Sequence, residues 1–310
     1  MKVEFYVGWS HSDAIFSNYF SDCPMLVSAV PDNRGTIKRF LNKPKRIMID
    51  CGSVYYVKQR ERPKLKDIFN LQLSIVEECD VDIESIQMVH FDEPMMNKVL
   101  LSEKYMAMER TLFNAYEYIN LFKKTGLPNK FEPVGVIQGY DLASITYSAY
   151  ELVKMGFKNF AIGSLLAKHY KTQIDFIKCA ADIVGANNLH VFGVTGIPQM
   201  HAMVDIGVRS FDSTRPTMAA VFFQVFYSRP FRTYIIEKSH AKPSSARLNE
   251  PLPCDCPICL SNPADLFIPS PRDYSKLRSI HNYYHLRIEL NDIRLKKGGE
   301  GYALSNVLRT

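Results

Sequence analysis

Two groups of residues have the types and spacing for chemistry. The first is Cys254-Asp255-Cys256-Pro257-Ile258-Cys259, which places three thiols within one tight turn. Thiolates this close bind a soft divalent metal, and a fourth donor closes the tetrahedron. His281 and His285 are the nearest downstream histidines. Three cysteines and one histidine leave no position open for water. The expectation is therefore a closed, structural Zn2+ site that contributes directly to folding. Three such thiols without a metal would be an oxidation liability in an exposed loop. A deaminase-type catalytic zinc is disfavoured because its HxE partner motif is absent.

The second group is scattered along the chain, each member closing a short apolar run. Asp50 lies in Ile49-Asp50-Cys51-Gly52-Ser53 and Asp92 in His90-Phe91-Asp92-Glu93-Pro94. Gln138-Gly139, Gly163-Ser164, Phe192-Gly193 and Phe211-Asp212-Ser213 follow. Singly these are ordinary: an Asp after a strand is often a helix N-cap, and a Phe there is usually core. Together they make three carboxylates, an amide, an aromatic and glycine-flanked turns. Such a set suits a polar planar ligand held face-on by the ring and edge-on by hydrogen bonds. Two of the carboxylates could serve as nucleophile and general acid/base.

Those residues meet only if the runs end on one face. Strands are predicted at Lys2–Val7, Met25–Val30, Arg46–Asp50, Ile86–Phe91, Pro133–Gln138, Asn159–Ile162, His190–Gly193 and Val208–Phe211. Helical patterns at Leu65–Cys79, Lys98–Lys124, Asp141–Met155, Lys168–Val184 and Pro198–Ile206 separate them. This rhythm argues for a parallel sheet with helical crossovers, and about eight strands for a closed barrel. The fold class expected is α/β, a (β/α)8 TIM barrel, in which strand C-termini carry the active site. A doubly wound open sheet is the alternative, weakened because no GxGxxG follows any strand.

After Asp212 the pattern changes. Thr214–Thr217 holds a proline and shows no clear period. Phe222–Ile236 is aromatic and β-rich, suited to unstacked bases or to a covered edge strand. Ala241–Pro253 reads as a loop, and Tyr274–Lys297 as a long amphipathic helix stopped by Gly298-Gly299. The expected organisation is a barrel domain over residues 1–240. A zinc-binding loop with the C-terminal helix follows over 241–310.

The 310 residues are 46% hydrophobic and 23% charged, ordinary for a globular chain that can bury a large core. No apolar run is long enough to span a bilayer, and the charged N-terminus does not resemble a signal peptide. The expected location is the cytoplasm, that of the host if a phage encodes the chain. Seven cysteines, four of them lone, do not form a secreted disulfide framework. A net charge of +6 is compatible with a polyanionic partner. The basic residues gather at Arg229, Arg232, Lys238, Lys242 and Arg247, and again at Arg287, Arg294, Lys296, Lys297 and Arg309.

Taken in order, these motifs resemble the tRNA-guanine transglycosylase family, which includes DNA-modifying relatives. Ile49–Ser53 is similar to its aspartate-serine-glycine turn, Val136-Ile137-Gln138-Gly139 to its Val-Gln-Gly strand, and Ala161–Leu165 to its Ile-Gly-Gly-Leu turn. His190–Gly193, Gly207–Ser213 and the cysteine cluster with His281-Asn282 resemble the archaeal branch. The resemblance implies Asp212 as the nucleophile at the sugar C1′ and Asp50 as general acid/base. It implies Asp92 and Gln138 on the base edge, Gly163, Ser164 and Leu165 as base contacts, and Phe192 stacked on one face. Val54 stands where bacterial members often have an aromatic for the other face. Cys254, Cys256, Cys259 and His281, rather than His285, become the zinc ligands. The implied reaction exchanges guanine in a nucleic acid for a 7-deazaguanine of the preQ0 type through a covalent aspartyl intermediate. A homodimer or a partner protein is compatible with it.

Two departures favour DNA over tRNA as the substrate. Ser213–Ala220 carries one basic residue, Arg215, where bacterial tRNA-acting members have an arginine run. The archaeal C-terminal RNA-binding domains have no counterpart before Thr310. A tRNA-guanine transglycosylase of the queuosine or archaeosine pathway is the alternative. A non-catalytic accessory subunit is a further one, disfavoured because a binding module needs neither Asp50 nor Asp212.

Overall fold

A computed structural model describes residues 3–57, 59, 61–96, 98–166, 168–194, 196–236, 246–268 and 273–298. Lys2, Lys238, Lys242, residues 241–245, Gly299 and Arg309, used in the sequence reading, lie outside them. Two compact units are present, one of residues 1–11 and 20–213 and the other of 12–19 and 214–310.

In the first unit eight parallel strands close into a barrel in sequence order. They are β1 (Glu4–Trp9), β2 (Met25–Ser28), β3 (Arg46–Asp50), β4 (Ser85–Val89), β5 (Phe131–Ile137), β6 (Asn159–Ile162), β7 (Leu189–Val191) and β8 (Ser210–Ser213). Closure comes from β8 beside β1, with Phe5 opposite Phe211 and Tyr6 opposite Asp212. The runs are apolar and β-branched because a parallel strand in a barrel is covered on both faces. Tyr6, Leu26, Met48, Val89, Val134, Val136 and Ala161 meet in the barrel core.

Among the described residues six α-helices accompany these strands: α1 (Ser53–Tyr56), α2 (Leu65–Val76), α3 (Leu101–Thr125), α4 (Leu142–Met155), α5 (Tyr170–Val184) and α6 (Ile197–Ile206). Local chemistry sets their ends. Asp141 caps α4 by accepting from Ser144 N at 2.8 Å, and Gly156 closes it at φ 93°. The first two crossovers carry only 3-10 turns, at Phe16–Asn18, Pro31–Asn33 and Ile37–Arg39. Their Ser-, Asn-, Asp- and Pro-rich sequence has no helical period.

Two strand ends differ from expectation. β4 stops at Val89, so Asp92 lies three residues out in the following loop. β8 runs through Ser213, so Asp212 sits inside the strand.

The second unit holds α7 (Arg215–Val221), the antiparallel hairpin β9 (Gln224–Tyr227) and β10 (Arg232–Ile235), α8 (Pro257–Ser261) and α9 (Asp273–Gly298). The division between the two compact units lies at 213/214, where the sequence pattern suggested about 240: β9 pairs with β10, and both α7 and β9 pack on α9. The segment from Thr214 showed no period, yet it is helical from Arg215. Pro216 occupies the first turn, where a missing N–H costs nothing. Among the described residues no helix is long and apolar enough to cross a membrane.

Candidate active site and metal centre

Loops and strand ends at the C-terminal face of the barrel collect the predicted residues. Asp212 is buried on β8, and its Oδ1 accepts from Gly193 N at 2.9 Å and from His190 Nε2 at 3.2 Å. His190 is buried, and its Nδ1 faces Ser210 Oγ at 2.8 Å. With Nε2–H donating to the carboxylate, Nδ1 accepts the Ser210 hydroxyl proton, so one tautomer is fixed. Both donors hold a single oxygen of Asp212. His190 was quoted only as part of a motif in the sequence. Its contact requires the register His190↔Ser210, which sets Asp212 two residues further along the same face.

Across the mouth, Asp50 ends β3. Ser28 Oγ and Gly52 N donate to its Oδ2, at 3.2 and 3.1 Å. Gly52 adopts φ 73°, and a Cβ there would lie 2.8 Å from Ala29 O, so this turn demands glycine. Burial, and then the neighbouring Asp92 charge, push the Asp50 carboxyl up to about 6; Asp212 adds to the effect. Asp92 is buried and doubly tied, accepting from Cys51 Sγ at 3.1 Å and from Gln138 Nε2 at 2.6 Å. The Cys51 thiol is itself pushed well above its usual range by burial and the Asp50 charge. It therefore acts as a donor, a role its place in the motif did not reveal.

Gln138 is 1% exposed, and its Oε1 meets no hydrogen-bond donor among the described residues. A buried carbonyl left unpaired costs about 1–3 kcal/mol, so a ligand N–H is the natural occupant beside it. Gly163 makes room for this amide: a Cβ there would sit 2.7 Å from Gln138 Nε2. We expect Gly163→Ala to displace Gln138 from Asp92 and raise the KM for the ligand bound beside it about tenfold, the worth of one such hydrogen bond. The melting temperature should move little. Steady-state kinetics with thermal melting check this, and an unchanged KM refutes it.

Ser164 sits at φ 58°, a region glycine prefers, and its Oγ accepts from Met95 N at 2.9 Å. That bond joins the loop after β6 to the loop after β4. Leu165 is buried, and its carbonyl accepts from Gln173 Nε2 at 3.1 Å. Phe192 is half-buried on the barrel core, edge-on to His190 at 4.9 Å. Val54, in the short helix α1, is exposed.

The second unit carries the cysteine cluster. Cys254, Cys256, Cys259 and His281 bring four ligand atoms within 4.8 Å of one another, a set that could hold a metal ion. Cys256 N and Cys259 N donate to the Cys254 and Cys256 sulfurs, at 3.3 Å each. The histidines are told apart by their other nitrogens. His281 Nε2 lies 2.8 Å from Phe226 O, so it carries the proton and leaves the Nδ1 lone pair to the thiols. His285 Nδ1 accepts from Ser228 N at 3.0 Å, so its Nε2 carries the proton and donates to Cys254 Sγ at 3.2 Å. His281 can therefore be a ligand, while His285 supports one. Arg215 has its guanidinium 5.1 Å over Phe226 and 5.5 Å over Phe231. With Phe226 and Tyr227 buried, the aromatics of the hairpin serve packing.

Comparison with known proteins agrees with this arrangement. A family model described as queuine tRNA-ribosyltransferase matches residues 26–296. A tRNA-guanine(15) transglycosylase of Korarchaeum cryptofilum is 29% identical over 227 residues, 71% of this chain and 35% of that protein. A queuine tRNA-ribosyltransferase of Chlamydia caviae is 28% identical over 148 residues, 44% of this chain and 38% of that one. A DNA-guanine transglycosylase of Salmonella montevideo is 23% identical over 193 residues, 60% of this chain and 45% of that one. The matched stretches span between about a third and a half of these relatives. The family match covers most of the barrel and the cysteine cluster, and the chain belongs to the queuine tRNA-ribosyltransferase family.

Proposed function

We propose that this chain is a guanine transglycosylase, a pentosyltransferase that exchanges guanine in DNA for a 7-deazaguanine of the preQ0 type. One observation carries the reading: among the described residues, Asp212 is oriented through Oδ1, by His190 and Gly193. Oδ2 is then the atom that attacks the sugar C1′ and displaces guanine, giving a covalent ester. The incoming base displaces Asp212 in turn, so configuration is retained and no external energy is used. Asp92 and the unpaired Gln138 carbonyl read the base edge, and Phe192 covers one face. A base reaches this mouth only after leaving its stack. The Cys254, Cys256, Cys259 and His281 set is a closed thiolate-rich site, and Zn2+ is the ion we assign to it, in a structural role.

Asp50 supplies the proton that guanine needs on leaving and recovers it from the incoming base. Its carboxyl remains protonated up to about pH 6. In single-turnover guanine release the rate is expected to be flat below about pH 6, then to fall about tenfold per unit above it. Asp50→Asn should be slow and lack that limb. A wild-type rate independent of pH from 5 to 8 would remove Asp50 from the role.

DNA is favoured because the segment after Asp212 carries only Arg215, which stacks on Phe226 and Phe231. A tRNA substrate is the second reading, since the relatives of 28% and 29% identity are named for tRNA. Incorporation of labelled guanine into unmodified DNA and tRNA, side by side, separates them. Label in DNA alone is expected, and label in tRNA alone selects the second reading. Label in neither, with metal bound and the fold intact, points to a required partner protein or a non-catalytic role.

A further inference from the structure

Glu93 follows Asp92 directly and is buried, yet three cations surround it. Arg110 pairs through Nε and Nη2 at 2.6 and 2.9 Å, Arg62 through Nη1 at 2.6 Å, and Lys98 at 2.8 Å. Burial alone would raise the Glu93 carboxyl, but these three partners hold it down at about 2. It is therefore always ionised, and three cations against one carboxylate leave two positive charges in excess. The heads are not sequestered: Arg62 and Arg110 are 46% and 49% exposed. Among the described residues, Nε and Nη2 of Arg62 and Nη1 of Arg110 meet no protein acceptor.

A second, independent feature adjoins this cluster. Lys168, in the loop after β6, is held below its usual range by burial and by the like charge of Lys104, in the first turn of α3. Its Nζ lies 4.8 Å over the Phe176 ring, and among the described residues neither Lys168 nor Lys104 forms an ion pair with a carboxylate. The bond from Met95 N to Ser164 Oγ ties the Lys168 loop to the loop carrying Glu93 and Lys98. A like-charge pair without a counter-carboxylate is costly by itself, and an anion between the two relieves it.

We propose that Arg62, Lys98, Arg110, Lys104 and Lys168 form a phosphate-binding rim for the backbone of the strand whose base enters the pocket. This rests on the nucleic-acid reading above. Glu93 acts as the internal strut: it orients the guanidinium groups while leaving their outer N–H groups for phosphate oxygens. The rim supplies cations that the segment after Asp212, with Arg215 alone, does not. The contacts are to phosphate, so they give affinity and register without sequence preference.

The test uses the full chain and fluorescent single-stranded DNA and RNA oligonucleotides containing guanine, titrated across a salt series. Lys104→Glu with Lys168→Glu is the first variant, chosen because neither residue partners Glu93. Affinity should fall at least tenfold, and the slope of log K against log salt should lose about two. The Kd for guanine alone should stay within twofold. Arg62→Gln is the second variant, expected to reduce the slope by about one. Wild-type binding with both variants unchanged in affinity and slope overturns the rim alone. Wild-type chain that binds guanine but no oligonucleotide overturns the rim together with the nucleic-acid reading.

Discussion

In the Asp212→Asn variant, base exchange is expected to fall by roughly 10^4-fold or more, as when other enzymes lose a nucleophile. The substitution is nearly isosteric, and the amide oxygen can still accept from Gly193 N and His190 Nε2, where the carboxylate Oδ1 does now. The pairing of β8 with β1, where Asp212 stands opposite Tyr6, is backbone and therefore kept, and the fold should survive. What is lost is the second anionic oxygen, to which no described residue donates and which the proposed reaction assigns to C1′. Three measurements separate chemistry from folding. The exchange rate should collapse, an SDS-stable protein–oligonucleotide adduct should disappear, and metal per chain and melting temperature should match wild type. Normal exchange in the variant would show that the nucleophile lies elsewhere.

Why some of this was legible and some not follows from the range of each interaction. The eight strands were readable because strands covered on both faces are apolar throughout, and because turn residues punctuate them. Asp50, Asp92, Gln138 and Asp212 stood out as candidates because they end or follow such runs. The helix at Arg215–Val221 was hidden by Pro216, which looks like a breaker until it is placed in a first turn. His190 could not be assigned, because its role depends on a neighbouring strand's register. The same holds for Cys51, whose thiol reaches Asp92 across 41 positions. Charge misled most. The sequence clusters drew attention to Arg229 and its neighbours, yet Arg229 is committed to Asp292 at 2.9 Å. The cations around Glu93 are spread from position 62 to position 110, so only the folded chain assembles them. Arg278 shows the converse. It was not singled out in the sequence, yet it is fully buried and donates to the carbonyls of Ala220, Leu266 and Ile268.

Removing the metal proposed for the second unit, or its proposed ligand His281, should cost that unit on the order of 10 kcal/mol, the scale at which structural zinc drives folding. The cysteine-bearing turn is short, and α8 spans only Pro257–Ser261. Its local packing includes Ile258 and Leu266, both buried. So small an apolar contribution does not hold three thiols together against their own repulsion once they are ionised. The two histidines predict different outcomes. His281→Ala removes the Nδ1 donor and should abolish metal binding, with loss of protection across residues 246–298 in hydrogen exchange. His285→Gln removes the Nε2–H donated to Cys254 Sγ and the Nδ1 that accepts from Ser228 N but no metal ligand, and should weaken metal affinity about 10- to 100-fold while the fold persists. Metal content after dialysis, read beside hydrogen exchange, distinguishes them. If His285→Gln loses the metal and His281→Ala keeps it, the tautomer argument fails and the ligand set must be redrawn around His285.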